Sequence, residues 1–316
     1  MTDEVLGLLR ARRRHGSAPG SRRDDARLVL LIEGGSSRGA YSFGMAIAIE
    51  QLGLLPLFDA VYGSSAGALN GAWLLCGRTE STQHAWWTPE IMRGTIDLRR
   101  ALRRRPVVDT RFLVHTVYTE LMPMGFQEIL DTPVEFHPLA TDALTGASTD
   151  LRDHIHDQPG LQRALRASTA LPFLAGAPVD IDGRSYVDAG VSESIPVRTA
   201  LADGATHIVA LRTRRAGEDP RPTSRLERLV LSRWFAGHAP GALEPWLHRD
   251  EVRREEERLL ASHTATLQIR PPVGSGDIGR TEIREHVLRP AVELGRRTAW
   301  DHLVSSTEDA QASATG

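Results

Sequence analysis

The chain alternates between short, uniformly apolar runs and longer stretches in which apolar residues return every three or four positions. The clearest run is Leu28-Val29-Leu30-Leu31-Ile32, and five consecutive aliphatic residues suit a parallel strand covered on both faces. It ends at Glu33-Gly34-Gly35. From 39 to 52 the residues Ala40, Phe43, Ile47 and Leu52 recur at helical spacing, and Gly53 supplies a stop. The segment 58–62 predicts a second strand, broken by Gly63, and 66–75 predicts a buried helix of small and apolar residues. A strand, a glycine loop and a helix are therefore followed at once by a strand, a sharp turn and a helix.

The region 78–131 reads as helices with loops. After it, 133–141 predicts a strand and 161–169 a helix. The apolar pairs at 179–181 and 185–187 flank Asp182-Gly183, a strong hairpin-turn dipeptide, so Asp188 falls just past a strand end. A helix over 195–202 with Gly204 as its stop precedes an apolar strand at 207–211. Helical periodicity returns over 225–235, 249–261 and 283–303. Strands alternating with helices predict an α/β sandwich around a largely parallel sheet. One domain is expected over 26–304, its last part (about 220–304) helical. The Arg-rich segment 1–25 and the small, polar segment 305–316 are both expected to be loosely ordered.

Composition narrows the function classes. A chain of 316 residues with 41% hydrophobic content can bury a substantial core, and a charged fraction of 25% is that of an ordinary globular protein. There is no lysine, so every strong cation is an arginine suited to flat, bidentate contacts. A net charge of −2 creates no global field for nucleic acid, and none is expected as a partner. The single cysteine, Cys76, excludes an intramolecular disulfide and any multi-cysteine metal site, which fits a reducing compartment. No signal-like apolar stretch follows the N-terminal arginines, and no run approaches the ~20 apolar residues of a membrane span. The expectation is a cytoplasmic protein, at most peripheral at a membrane.

Three segments carry candidate chemistry. Gly63-Ser64-Ser65-Ala66-Gly67 fits G-x-S-x-G, in which a strained strand-to-helix turn exposes a serine hydroxyl and small neighbours permit close backbone approach. Only Ser65 can be its nucleophile, because a shift to Ser64 would need glycines where Tyr62 and Ala66 stand. The bland reading of the same residues is a Gly/Ser-rich turn. The loop Gly34-Gly35-Ser36-Ser37-Arg38-Gly39 follows a buried strand and opens a helix, so its N–H groups can converge on a negative charge. A phosphate-binding P-loop would need Lys and Ser/Thr where Gly39-Ala40 follow Arg38, and a dinucleotide fingerprint would need glycine at Ser36. Asp188-Ala189-Gly190 places a carboxylate beside small residues, although Asp and Gly are also ordinary turn formers.

In this order the segments resemble the patatin-like phospholipases, lipid acyl hydrolases that use a Ser-Asp dyad. The resemblance spans about 28–215. It rests on the glycine loop with Arg38-Gly39-Ala40-Tyr41 and on Tyr62-Gly63-Ser64-Ser65-Ala66-Gly67-Ala68-Leu69-Asn70. It rests also on Ala167-Ser168-Thr169-Ala170-Leu171-Pro172-Phe173 leading to Tyr186-Val187-Asp188-Ala189-Gly190. The resemblance implies a three-layer sandwich with Ser65 as nucleophile on an elbow between Gly63 and Gly67. It implies Asp188 as base and the backbone of Gly34, Gly35, Ser36, Ser37, Arg38 and Gly39 around the oxyanion. No metal or cofactor is implied; a lipid or acyl-ester substrate is, with transient contact at a membrane surface. Ser36 stands where the family loop has its third glycine, and Ala189 departs from Asp-Gly-Gly.

Two rivals remain at this stage. One is a Ser-Asp-His triad, since His207, His238 and His248 all follow Asp188; against it, Ser65 comes after a single strand-loop-helix unit and a short strand. The other is a non-catalytic lipid-binding protein of the same fold. The cluster Arg99, Arg100, Arg103, Arg104 and Arg105 and the segment 225–235 suit either an anionic lipid surface or a solvated face over a core stripe. Trp86 and Trp87 are expected in the core rather than over an acyl chain.

Overall fold

The structure is a computed structural model that describes residues 2–218 and 224–304. Eight strands form one sheet: β1 (Leu28–Ile32), β2 (Ala60–Ser64), β3 (Glu135–Asp142), β4 (Ser148–Asp150), β5 (Val179–Ile181), β6 (Arg184–Asp188), β7 (His207–Leu211) and β8 (Thr266–Ile269). Their order is β5-β6-β3-β2-β1-β7-β8, with β4 also paired to β3. The strands from β3 across to β8 are parallel, whereas β4 and β6 run antiparallel to β3 and β5 antiparallel to β6.

The apolar runs are uniform because the central strands are covered twice. Along β1, Leu28, Leu30 and Ile32 face one apolar cluster, and Val29 and Leu31 face another. The first cluster takes in α1 (Thr2–Arg14), α2 (Gly39–Gln51), α3 (Ala66–Leu75) and, later in the chain, Glu285–Leu303. The second takes in Val197 and Ala200 of a short helix and Leu260 of Arg249–Ser262. Helices on both faces of a mostly parallel sheet make the three-layer α/β sandwich expected from the pattern. Helix α4 (Gln158–Ser168) ends beside the site; α5 is Arg225–His238, α6 is Arg249–Ser262 and α7 is Glu285–Leu303.

Helix α2 is buried on every side from Gly39 to Ile49, so its apolar residues do not form a single stripe. Its contact with α7 is backbone to backbone. A Cβ on Gly44 would lie 1.9 Å from the Val292 carbonyl oxygen, and one on Gly295 would lie 2.0 Å from that of Tyr41.

Several expectations are corrected. Most of the segment 1–25 is not loosely ordered: Thr2–Arg14 forms α1, with Val5 and Leu9 fully buried. Its anchor is Arg12, also buried, which donates to Asp24 (2.7 Å), Asp59 (2.8 Å) and the carbonyls of Leu57 (2.7 Å) and Ala26 (2.6 Å). A guanidinium with its donors satisfied can be buried, and an apolar pattern does not reveal such a residue. Strand β2 continues through Gly63 to Ser64, where a break was expected; a Cβ on Gly63 would come within 2.5 Å of the Ala68 Cα. Strands β4 and β8 were not expected, and β8 carries the polar Gln268 between its apolar residues. The expectation for 305–316 lies outside the described residues. Among the described residues no helix is long and apolar enough to cross a membrane.

Gly44→Ala or Gly295→Ala is expected to lower stability by about 1–3 kcal/mol or more, because neither backbone can yield without moving its helix. Gly237→Ala, with nothing within 4 Å of its Cβ position, is the control in an exposed helix. Thermal melts of the three variants check this, and equal behaviour of all three would contradict it.

Candidate active site

Sheet register brings Ser65 and Asp188 together although 123 positions separate them. Ser64 pairs with Leu139 and Asp188 pairs with Ala140, so β3 lies between the two residues. Their backbones stand about two strand spacings apart, roughly 10 Å. The intervening side chain on the Asp188 face is the methyl of Ala140, too small to part them. Ser65 Oγ donates to Asp188 Oδ2 at 2.6 Å in a buried contact.

Ser65 has φ 54° and ψ −125°, outside the regions open to most L-residues, at a cost of roughly 1–3 kcal/mol. Its surroundings hold it there. Its N–H donates to Ser168 Oγ (3.0 Å), its carbonyl accepts from Ala68 N (2.9 Å), and Ser64 Oγ donates to the Glu193 carbonyl (2.8 Å). At Gly67 a Cβ would lie 2.1 Å from the Ile32 carbonyl oxygen, so only glycine lets α3 start this close to the end of β1.

Asp188 is almost wholly buried. Its Oδ1 accepts from Gly190 N at 2.8 Å, its own N–H donates to the Ala170 carbonyl, and its carbonyl accepts from Thr141 Oγ1 at 2.9 Å. Burial pushes its pKa up to about 6, while the hydrogen bonds from Ser65 and Gly190 and the charge of Arg280 pull it down. The three candidate histidines are elsewhere. His207 opens β7, at the opposite end of the parallel strands from Ser65. His238 and His248 are exposed, each with Nδ1 on a carbonyl one helical turn back, those of Trp234 and Glu244.

The loop after β1 is tied down through most of its N–H groups. Gly34 N donates to the Ser194 carbonyl (3.0 Å), Ser37 N to that of Arg280 (3.4 Å), Arg38 N to that of Gly35 (3.1 Å), and Gly39 N to those of Ser36 and Ser37. Among the described residues the N–H groups of Gly35 and Ser36 have no acceptor. Ser36, at φ 52°, turns its hydroxyl onto the Arg280 carbonyl (2.6 Å), and Ser37 Oγ reaches the same oxygen (2.9 Å). Thr213 Oγ1 donates to the Gly34 carbonyl (2.7 Å), and the buried Glu33 accepts from Thr213 N and Arg212. The anchors Ser194, Thr213 and Arg280 are far away in sequence and carry no local signal. Ser168 stood inside the stretch 167–173, without the hydrogen bond to Ser65 being foreseen.

An apolar cavity of about 110 Å³ opens beside Ser65, with Phe43, Leu69, Trp73, Trp86, Ile91 and Leu113 among its walls. Much of it comes from 78–131, a region whose pattern indicated helices and nothing more. Trp86 does pack against the core, as expected, with its ring 5.8 Å from that of Phe43, and it also faces the cavity. Among the described residues, side chains at metal-ligand spacing occur at His137, Asp150 and Asp203. His137 stacks on Tyr62, on the opposite face of the sheet, and Arg152 stands 3.2 Å from its Nε2, already supplying positive charge.

Comparison with known proteins identifies the family. A patatin-like phospholipase profile matches residues 30–201, more than half of the chain. YjjU, an uncharacterised protein of Escherichia coli strain K12, is 27% identical over 190 residues, which are 59% of this chain and 52% of that one. An uncharacterised NTE family protein of Mycobacterium tuberculosis strain H37Rv is 26% identical over 214 residues, 66% of this chain and 54% of the relative. Neuropathy target esterase sws of Drosophila melanogaster is 29% identical over 194 residues, 58% of this chain and 12% of the esterase. The chain spans about half the length of the first two. A match that takes in the loop after β1, the Ser65 elbow and Asp188 together carries the conclusion that this chain belongs to the patatin-like phospholipase family.

Proposed function

We propose that the chain is a serine acyl hydrolase that cleaves acyl esters of lipids, with Ser65 as nucleophile and Asp188 as its base. The observation that carries this reading is the buried 2.6 Å hydrogen bond between them. Family membership and the esterase named among the relatives support it.

The steps follow from the contacts. Asp188 Oδ2 accepts the Ser65 proton as Oγ attacks the ester carbonyl. Negative charge then develops on the carbonyl oxygen, and the N–H groups of Gly35 and Ser36, free of protein acceptors, are the donors best placed to receive it. The C–O bond to the alcohol breaks, the alcohol leaves with the proton held by Asp188, and an acyl-serine remains. Water then attacks the acyl carbon, Asp188 takes its proton, and the acid is released as Ser65 regains one. Of the six loop residues in the sequence expectation, the backbone N–H groups of Gly34, Ser37, Arg38 and Gly39 serve to hold the loop.

Asp188 suits the role of base because water is scarce around it. A carboxylate at its ordinary pKa is a weak base toward a hydroxyl, and burial strengthens it. The cavity suits a hydrocarbon chain, since its walls offer apolar surface and few polar groups, and a lipid ester would leave its polar part outside. A substrate drawn from a membrane requires transient contact with a lipid surface, which we include in the reading. The triad rival loses support because no histidine contacts Asp188 among the described residues.

Purified protein is expected to hydrolyse p-nitrophenyl esters and to react with a fluorophosphonate. Ser65→Ala should abolish both, at least a thousandfold in rate. An inert wild-type protein would favour the non-catalytic reading, and loss of turnover in a His207, His238 or His248 variant but not in Asp188→Asn would favour the triad.

The pH profile carries a sign. Only ionised Asp188 can accept a proton, so kcat/KM should rise about tenfold per pH unit below about 6 and level off above it. A profile flat from pH 4 to 8 would contradict the assignment.

Stability should move the other way. A folded-state pKa raised from 3.8 to about 6 favours the fold when Asp188 is protonated, and that contribution is lost as pH rises through about 6. Asp188→Asn is therefore expected to be more stable than wild type at pH 8 by on the order of 3 kcal/mol, and about equal at pH 4. Denaturant titrations at the two pH values read this difference.

A further inference from the structure

The stretch between Ile96 and Val108 leaves the body of the protein and returns to it. Ile96 and Val108 form an isolated antiparallel bridge, Asp97 N donates to the Val107 carbonyl and Asp109 N to that of Thr95. The stem closed by these bonds belongs to the cavity beside Ser65, because Thr95, Ile96, Val108 and Thr110 all line it. The excursion thus springs from the cavity wall.

Its outer part combines exposed leucines with a run of exposed arginines. Leu102 is 88% exposed and Leu98 62%. Arg103, Arg104 and Arg105 are exposed too, with no ion pair or hydrogen bond from their side chains among the described residues. Arg99 and Arg100, by contrast, are engaged by Asp97 and by the Gly94 carbonyl.

A second segment brings an aromatic ring alongside. Val108 N donates to the Leu174 carbonyl, and a Cβ on Gly176 would lie 2.9 Å from Pro106, so 171–176 runs beside the stem. Within it Phe173 is half exposed at φ 67°, a left-handed conformation that a bulky residue seldom adopts.

We propose that the tip of this excursion (97–107), together with Phe173, docks the chain on an anionic phospholipid bilayer, with the cavity at the docked face. The proposal rests on the hydrolase reading only for what happens after docking. Clustered guanidinium groups without protein partners are available to an anionic surface, and they form flat, paired hydrogen bonds with phosphate. Leu98, Leu102 and Phe173 require an apolar phase within side-chain reach of that surface. Nucleic acid supplies the first and not the second. A bilayer supplies both, and its acyl chains would lie next to an apolar cavity whose wall continues into the docking loop.

Co-sedimentation tests this with vesicles of phosphatidylcholine alone and vesicles that also contain phosphatidylglycerol. Wild type is expected to bind the second kind and to lose that binding as salt is raised. Arg103→Glu, Arg104→Glu and Arg105→Glu combined should lower partitioning on the order of 100-fold. Leu98→Ser with Leu102→Ser should lower it roughly tenfold at unchanged charge. Both variants alter exposed side chains, and both should turn over a soluble p-nitrophenyl ester as wild type does.

Three results would overturn the proposal: partitioning of the triple variant equal to wild type, equal binding of wild type to both vesicle types, or binding to a DNA duplex with none to vesicles. Vesicle binding by a wild type that turns over no ester would support the docking surface and sink the hydrolase reading. Ester turnover by a wild type that ignores anionic vesicles would do the reverse.

Discussion

A carboxylate placed where water cannot reach it, with a hydroxyl and one backbone amide as its hydrogen-bond partners, is an unstable arrangement that a protein must enforce. In this chain the enforcement comes from the sheet. Asp188 ends β6, Ser65 follows β2, and β3 runs between them in a register that puts Ala140 where a larger side chain would keep them apart. The raised pKa of Asp188 is the cost of that placement, and on the proposed reading a stronger base toward Ser65 is its chemical return. The strain at Ser65 belongs to the same arrangement. The close approach of Gly67 to β1 and the hydrogen bond that the Ser65 N–H donates to Ser168 leave the serine no relaxed alternative.

The loop after β1 repeats the pattern of local cost and distant support. Its shape is held by Ser194, Thr213 and Arg280, which come from three later parts of the chain, and by the buried charge of Glu33 against Arg212. Ser36 sits in a left-handed backbone conformation with its hydroxyl on the Arg280 carbonyl. This contact adds an anchor, while the N–H groups of Gly35 and Ser36 keep no acceptor among the described residues.

What was legible in the sequence was whatever depends on local pattern. Strand β1 was readable as a run because both of its faces are covered, and the hairpin at Asp182-Gly183 because its turn needs positive φ at both residues, as observed. Ser65 and Asp188 were readable because the residues around each must be small. What escaped was non-local. Helix α1 is fastened by Arg12 to Asp24 and Asp59, and a buried arginine looks like a surface one until its partners are known. Much of the cavity wall comes from 78–131, whose apolar residues are spaced for short helices and give no hint that they converge on Ser65. The arginine cluster was visible as composition. That Leu98 and Leu102 stand exposed among those arginines, on a loop rooted in the cavity wall, could be seen only in three dimensions.

The central claim is that a proton passes between Ser65 and Asp188 while Ser65 becomes covalently acylated. The most direct measurement is peptide mapping by mass spectrometry after rapid mixing with a slowly deacylating p-nitrophenyl ester, quenched while nitrophenolate release is still in its burst. The account predicts an acyl mass increment on Ser65 that grows in step with the burst in wild type and is absent from Asp188→Asn over the same interval. A burst with the acyl group on any other residue, or equal acylation of Ser65 in the Asp188→Asn protein, would contradict it.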